Sequence, residues 1–255
     1  MLIIFVMFIM GLMLGFVGAG GAGVVIAVLS VVFVIPLHTA LGTSLGAMVF
    51  TTVSGTYSHY REGNVVVKCG GVVGIFGALG ALLGAKIAGL LPAGDLKWLT
   101  AGMLFLSALL LAIRVYFPEW IEAFAKGFSA PTGGARYWGA ASGVGIVSGI
   151  LSGTFGIGGM PYILIGLLTI FNMPVHQAAG TTMLISLPIA LFGGIGYLIN
   201  GHLEFSLLAK VVAGLMTGTY IGAKFTRRLP PVILKTTMVT IPVIGGLLLL
   251  FGTVR

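Results

Sequence analysis

The chain has 255 residues, of which 58% are hydrophobic and only 7% charged. That balance excludes a soluble globular domain, in which about a quarter of the residues are charged. The net charge of +8 rests on 13 Lys and Arg. They fall mainly at the ends of apolar segments, where they read as a topology signal facing anionic lipid rather than as a nucleic-acid surface.

Between Met1 and Tyr60 there is no Asp, Glu, Lys or Arg. The first element, about 2–35, has no basic flank and no small-residue cleavage site, so it reads as a membrane element rather than a removable signal. As one straight helix it would measure about 51 Å against a hydrocarbon core of about 30 Å. Gly18-Ala19-Gly20-Gly21-Ala22-Gly23 interrupts it midway. Consecutive glycines break the helical ladder, and a re-entrant hairpin with its tip near mid-membrane fits. The second element, about 37–59, follows Pro36 and carries Thr43 and Ser44. These lie about 10–12 Å into the helix, close to the depth of the glycine tip. Tyr57, His59, Tyr60 and Arg61 close it as an interfacial belt. Elements at about 66–91 and 96–117 complete a first half of residues 1–117, and the polar stretch 118–136 is a linker.

The second half, 137–255, repeats the first at an offset of 138 residues. Gly11, Gly15 and Gly18 fall on Gly149, Gly153 and Gly156, and Gly20-Gly21 on Gly158-Gly159. Pro36-Leu37-His38 falls on Pro174-Val175-His176, and Gly42-Thr43-Ser44 on Gly180-Thr181-Thr182. The register holds over about 85 positions, to Leu96-Lys97 on Leu234-Lys235. Elements are expected at about 138–172, 175–199, 205–226 and 232–253, the first again broken, by Gly156-Ile157-Gly158-Gly159-Met160-Pro161.

The expected fold is an all-α polytopic membrane protein of two homologous halves, each a glycine-broken first helix followed by three transmembrane helices. If every element crosses, the basic residues divide about 7 to 6 between the two sides; if the first element of each half only re-enters, about 9 to 4. The positive-inside rule favours the second, which makes the halves inverted repeats and puts the 59–68, 114–136 and 224–235 regions on the cytoplasmic side. The runs Gly11/Gly15, Gly80/Gly84, Gly145/Gly149/Gly153 and Gly214/Gly218/Gly222 read as helix packing.

Interrupted helices present free N–H groups at a positive dipole end, and hydroxyls add donors, which together suit an oxyanion. The candidate substrate-binding residues are therefore Gly20, Gly21, Thr43, Ser44, Gly158, Gly159, Thr181 and Thr182, with His38 and His176 as secondary, proton-carrying candidates. Against this, membrane Ser and Thr often bond their own helix carbonyls.

The glycine-rich first element, Gly15-Phe16-Val17-Gly18-Ala19-Gly20-Gly21, followed by Pro36 and Ala40-Leu41-Gly42-Thr43-Ser44, resembles the sulfite exporter (TauE/SafE) family. The resemblance recurs at Gly153, Gly156, Gly158-Gly159, Pro174 and Ala178-Ala179-Gly180-Thr181-Thr182. It implies export of sulfur oxyanions or small sulfonates such as sulfite or sulfoacetate across the cell membrane. With Cys69 as the single cysteine, a cysteine relay for thiosulfate is not expected, nor is a disulfide or a cysteine metal cluster.

The five acids, Glu62, Asp95, Glu119, Glu122 and Glu204, all lie at or near loops, so no carboxylate is available for a proton relay at depth. An anion leaving a negative interior gains about 2.3 kcal/mol per charge per 100 mV, which points to a potential-driven uniporter working by alternating access. An anion channel and a proton-coupled carrier for another small organic anion are the alternatives. An enzyme is not expected, since there is no G-x-S-G serine motif, no H-E-x-x-H and no buried acid pair; nor is a cofactor, a metal or nucleic acid. The partners expected are a small anionic substrate and the bilayer, and the many small residues are compatible with a homodimer.

Overall fold

The computed structural model describes residues 1–17, 22–120, 134–226 and 231–252. Among them every regular element is helical. The helices are α1 (Leu2–Val17), α2 (Ala22–Ala27, continued by a π-helical turn, Val28–Val32), α3 (Leu37–Arg61), α4 (Val67–Leu90) and α5 (Ala93–Tyr116). Then come α6 (Gly134–Phe155), α7 (Met160–Thr169), α8 (Val175–Ile199), α9 (Phe205–Thr226) and α10 (Pro231–Phe251). The stretches Val67–Leu90, Ala93–Tyr116, Gly134–Phe155, Val175–Ile199 and Phe205–Gly222 are each long and apolar enough to cross a membrane.

Helix starts recur at the fixed offset: Ala22 and Met160, Leu37 and Val175, Val67 and Phe205, Ala93 and Pro231. So do the turns. Pro36 and Pro174 are both N-caps with extended ψ, Val34 and Asn172 both hold positive φ, and Gly63 and Gly201 reverse the chain at φ 72 and 74. Ile35 N–H donates to Leu29 O as Met173 N–H does to Leu167 O, so the same turn is built twice. Prolines start α3 and α8 because the fixed φ is preorganised and the missing N–H has no helical partner to lose there.

Glycines explain which helices touch. On α4, Gly77, Gly80 and Gly84 are buried, while Ile75, Leu79 and Leu83 on another face are exposed, the pattern of a lipid-facing stripe. The glycine face packs on α6: a Cβ on Gly145 would meet Val73 O at 2.5 Å, and Gly149 and Gly153 meet Gly77 and Ala81 further along. The repeat-mate seam joins α9 to α1 in the same parallel sense, with Gly214 against Ile4 and Met7, Gly218 against Phe8 and Gly222 against Leu12. Each half thus packs one of its helices on the first helix of the other half. At the centre α3 and α8 run antiparallel, Gly42 meeting Tyr197 and Gly55 meeting Met183. The helix α2 runs back against α3, since Ser44 Oγ donates to Ala22 O at 3.2 Å although Val32 and Leu37 are joined by a short turn.

Candidate functional site

In the second half the break between α6 and α7 is built from Gly156, Gly158 and Gly159, at φ 65, 76 and 63. Only glycine adopts that left-handed conformation without strain. Its neighbours leave no room either: a Cβ on Gly156 would meet Leu41 of α3 at 2.8 Å, and one on Gly158 would overlap the Met48 side chain. The tip of the second half therefore lies against α3 of the first. The first-half tip, with Gly20 and Gly21, lies outside the described residues. The helix starts that follow both breaks are described, and they converge: Ala22 and Met160 share one small buried cluster with Met48 and Ala190.

The candidate hydroxyls divide. Ser44 sits at the start of α2 through its bond to Ala22 O. Its repeat mate Thr182 is 4% exposed, donates to Ala178 O of its own helix at 2.7 Å, and lines a cavity beside Met160 and Pro161. Thr181 is engaged elsewhere, accepting from Val66 N–H at 3.0 Å across the two halves. Its mate Thr43 is fully buried and its hydroxyl has no hydrogen-bond partner among the described residues. The histidines differ as well. His38 stacks on His202 with ring centroids 4.9 Å apart and places Nε2 3.0 Å from Ala88 O, whereas His176 is exposed at the start of α8. Burial and the neighbouring His38 push the His202 pKa down.

The cavity beside Thr182 has a volume of about 100 Å³. The start of α7 lines it through Met160 and Pro161; Pro161 has no N–H, so Met160 and Tyr162 carry the first-turn N–H groups. Arg114, in the last turn of α5, and His59, near the end of α3, supply its basic groups. Leu111, Leu164, Met183 and Met238 supply apolar wall. Sequence reasoning missed Arg114 and His59 as site residues, because His59 reads as part of an interfacial belt and Arg114 as part of the basic 114–136 region on the cytoplasmic side. One signal in the repeat does single Arg114 out, since its mate at the offset of 138 is Gly252. Arg114 and the start of α7 line one space, a cation beside a positive dipole end, while the Thr182 proton is already given to Ala178 O. No cluster of metal-ligating side chains occurs among the described residues.

Among the described residues, the repeat mates of this cavity's lining pack into one core. Where His59 and Ala179 stand, the other half has Tyr197 and Leu41; where Leu164 and Met183 stand, it has Ile26 and Leu45, and all four of these are fully buried. Tyr197 Oη donates to Thr154 O at 3.1 Å, and Asn200 Nδ2 to Ala85 O at 3.3 Å, tying that side together.

A family model described as sulfite exporter TauE/SafE matches residues 3–249. The chain is 52% identical over 222 residues to the probable membrane transporter protein YdhB of Bacillus subtilis (strain 168), covering 87% of this chain and 88% of that protein. It is 26% identical over 205 residues to the probable membrane transporter protein YunE of the same organism, covering 74% and 72%. A probable membrane transporter protein of Xylella fastidiosa (strain Temecula1 / ATCC 700964) is 29% identical over 199 residues, covering 78% and 74%. No solved structure matches.

Proposed function

The chain belongs to the sulfite exporter TauE/SafE family of membrane transporters, and on that premise we propose that it exports small sulfur-containing anions, sulfite or organosulfonates such as sulfoacetate, across the cell membrane by alternating access. The observation that carries this reading is the cavity at the start of α7, which Arg114 and His59 line together with the first residues of an interrupted helix. The halves 1–117 and 137–255, joined by 118–136, act as inverted repeats with re-entrant first elements. That arrangement is supported by the antiparallel run of the repeat mates α3 and α8 and by the return of α2 along α3. Alternation is supported by the difference between the two half-sites, one a cavity and its mate a packed core, since inverted repeats that exchange conformations exchange which side is open. The cavity lies beside the ends of α3 and α5, the side that the basic residues mark as cytoplasmic.

Membrane potential alone drives export of a singly charged substrate, at about 2.3 kcal/mol per charge per 100 mV. Coupling to protons is the second reading, and the stacked His38 and His202 are what favour it. Flux of sulfite, sulfoacetate, sulfate and chloride in proteoliposomes under a set potential, with and without a pH gradient, tests both. Potential-driven movement of sulfite or sulfoacetate that ignores the pH gradient supports the uniporter. Movement that follows the gradient transfers the argument to the histidines, and no movement of any sulfur anion sinks the substrate assignment.

A further inference from the structure

We propose that the cavity between α5, α7, α8 and the end of α3 is the loading site for a small organic anion, and that Arg114 is the charge partner of its acidic head. The inference rests on the anion-transport reading and names what that site recognises. Arg114 is half-buried within an apolar helix and makes no hydrogen bond or ion pair to any described residue. A guanidinium in that position is costly unless something compensates it, and no acid lines this cavity to do so. The ordinary alternative is a terminal arginine that snorkels to the headgroups. Arg114 lines the same space as the start of α7, so a cation and a positive dipole end converge on one volume.

The remaining wall decides the class of ligand. His59, whose Nδ1 lies 3.9 Å from Glu62 Oε2, adds a second polar group at the same end. The side chains of Leu111, Leu164, Met183 and Met238 offer no hydrogen bonds to replace a hydration shell, and the two methionines adapt to varied shapes. A bare inorganic ion leaves that wall unused and loses water against it; a short carbon body covers it. The site therefore suits one strongly acidic oxyanion head on a short apolar body. The repeat mate of Arg114 is Gly252, whose carbonyl accepts from Lys97 Nζ at 2.7 Å, so the cation at the matching place on the other side is already engaged by backbone.

Thermal unfolding of the purified full-length protein in detergent reads this directly, with methanesulfonate, ethanesulfonate, sulfite and sulfate as probes. The organosulfonates are expected to raise the unfolding midpoint at lower concentrations than either inorganic ion. Arg114→Gln is expected to raise the concentration for half-maximal stabilisation at least tenfold, with Arg114→Lys keeping most of the response. If Arg114→Gln does not fold, Arg114→Leu, which suits an apolar helix and removes the charge, carries the comparison, with a weakening of at least tenfold expected. Unchanged ligand response in these variants, or stabilisation by sulfite at lower concentration than by either organosulfonate, overturns the proposal. Because binding is read without flux, wild-type vesicles that move no sulfur anion would sink the transport reading while a ligand response lost in Arg114→Gln would still uphold the site.

Discussion

The two half-sites are built from the same repeat and end in different states. Around Met160 the second half keeps a cavity of about 100 Å³, while the matching space around Ala22 is filled by Leu41, Leu45, Ile26 and Tyr197. The seams that hold the halves together do not differ: Gly80 against Ile146 and Gly218 against Phe8 are the same close helix contact made twice. On the proposed alternating-access reading, the glycine seams are the fixed frame and the space beside each interrupted helix is the part that opens. The largest effect should therefore come from emptying the packed side. Tyr197→Ala removes a fully buried ring and its bond to Thr154 O, and should cost about 3 kcal/mol. His59→Ala, at the matching position on the open side, should stay within about 0.5 kcal/mol. Thermal unfolding of the two variants in one detergent checks this, and equal losses would erase the contrast.

The paired threonines sharpen it at the next level. Thr181→Val leaves Val66 N–H without its acceptor, so it should cost about 1–2 kcal/mol. Thr43→Val replaces a buried hydroxyl that has no partner, so stability should hold or rise slightly. If flux in proteoliposomes nevertheless falls with Thr43→Val, its hydroxyl serves the substrate rather than the fold. Ser44→Ala sits between them at about 1 kcal/mol, because one buried bond to Ala22 O is lost.

The all-helical membrane architecture was legible because it follows from composition and from apolar runs too long for anything else. Helix starts at Pro36 and Pro174 were legible because proline marks them locally, and the seams because glycine at a spacing of four or more lets backbones touch. Arg114 and His59 were not, since what makes them site residues is the packing of α5 and α3 around α7, which no local pattern records. The bond of Thr181 to Val66 joins residues far apart in the chain and is equally invisible to spacing. Nor does a sequence repeat say which copy stands open. Tyr197 opposite His59 and Leu41 opposite Ala179 hint at the fuller side, yet Met160 opposite Ala22 points the other way, so volume alone does not rank the two.

The smallest effect concerns the histidine pair beside the packed half-site. His202 is held below its ordinary pKa, first by burial and then by His38, so the fold favours its neutral form. The unfolded chain then binds more protons than the folded one as pH falls through the ordinary histidine range, about 6.5. Stability from this group is fully present above that range and is lost as pH falls toward the lowered folded value. His202→Asn, which installs the residue found at its repeat mate Asn64, should flatten that slope without changing the unfolding midpoint near pH 8. A slope that survives His202→Asn would mean that the packed side is held by Tyr197 and Asn200 alone, and that the stacked rings are a consequence of closure rather than a contributor to it.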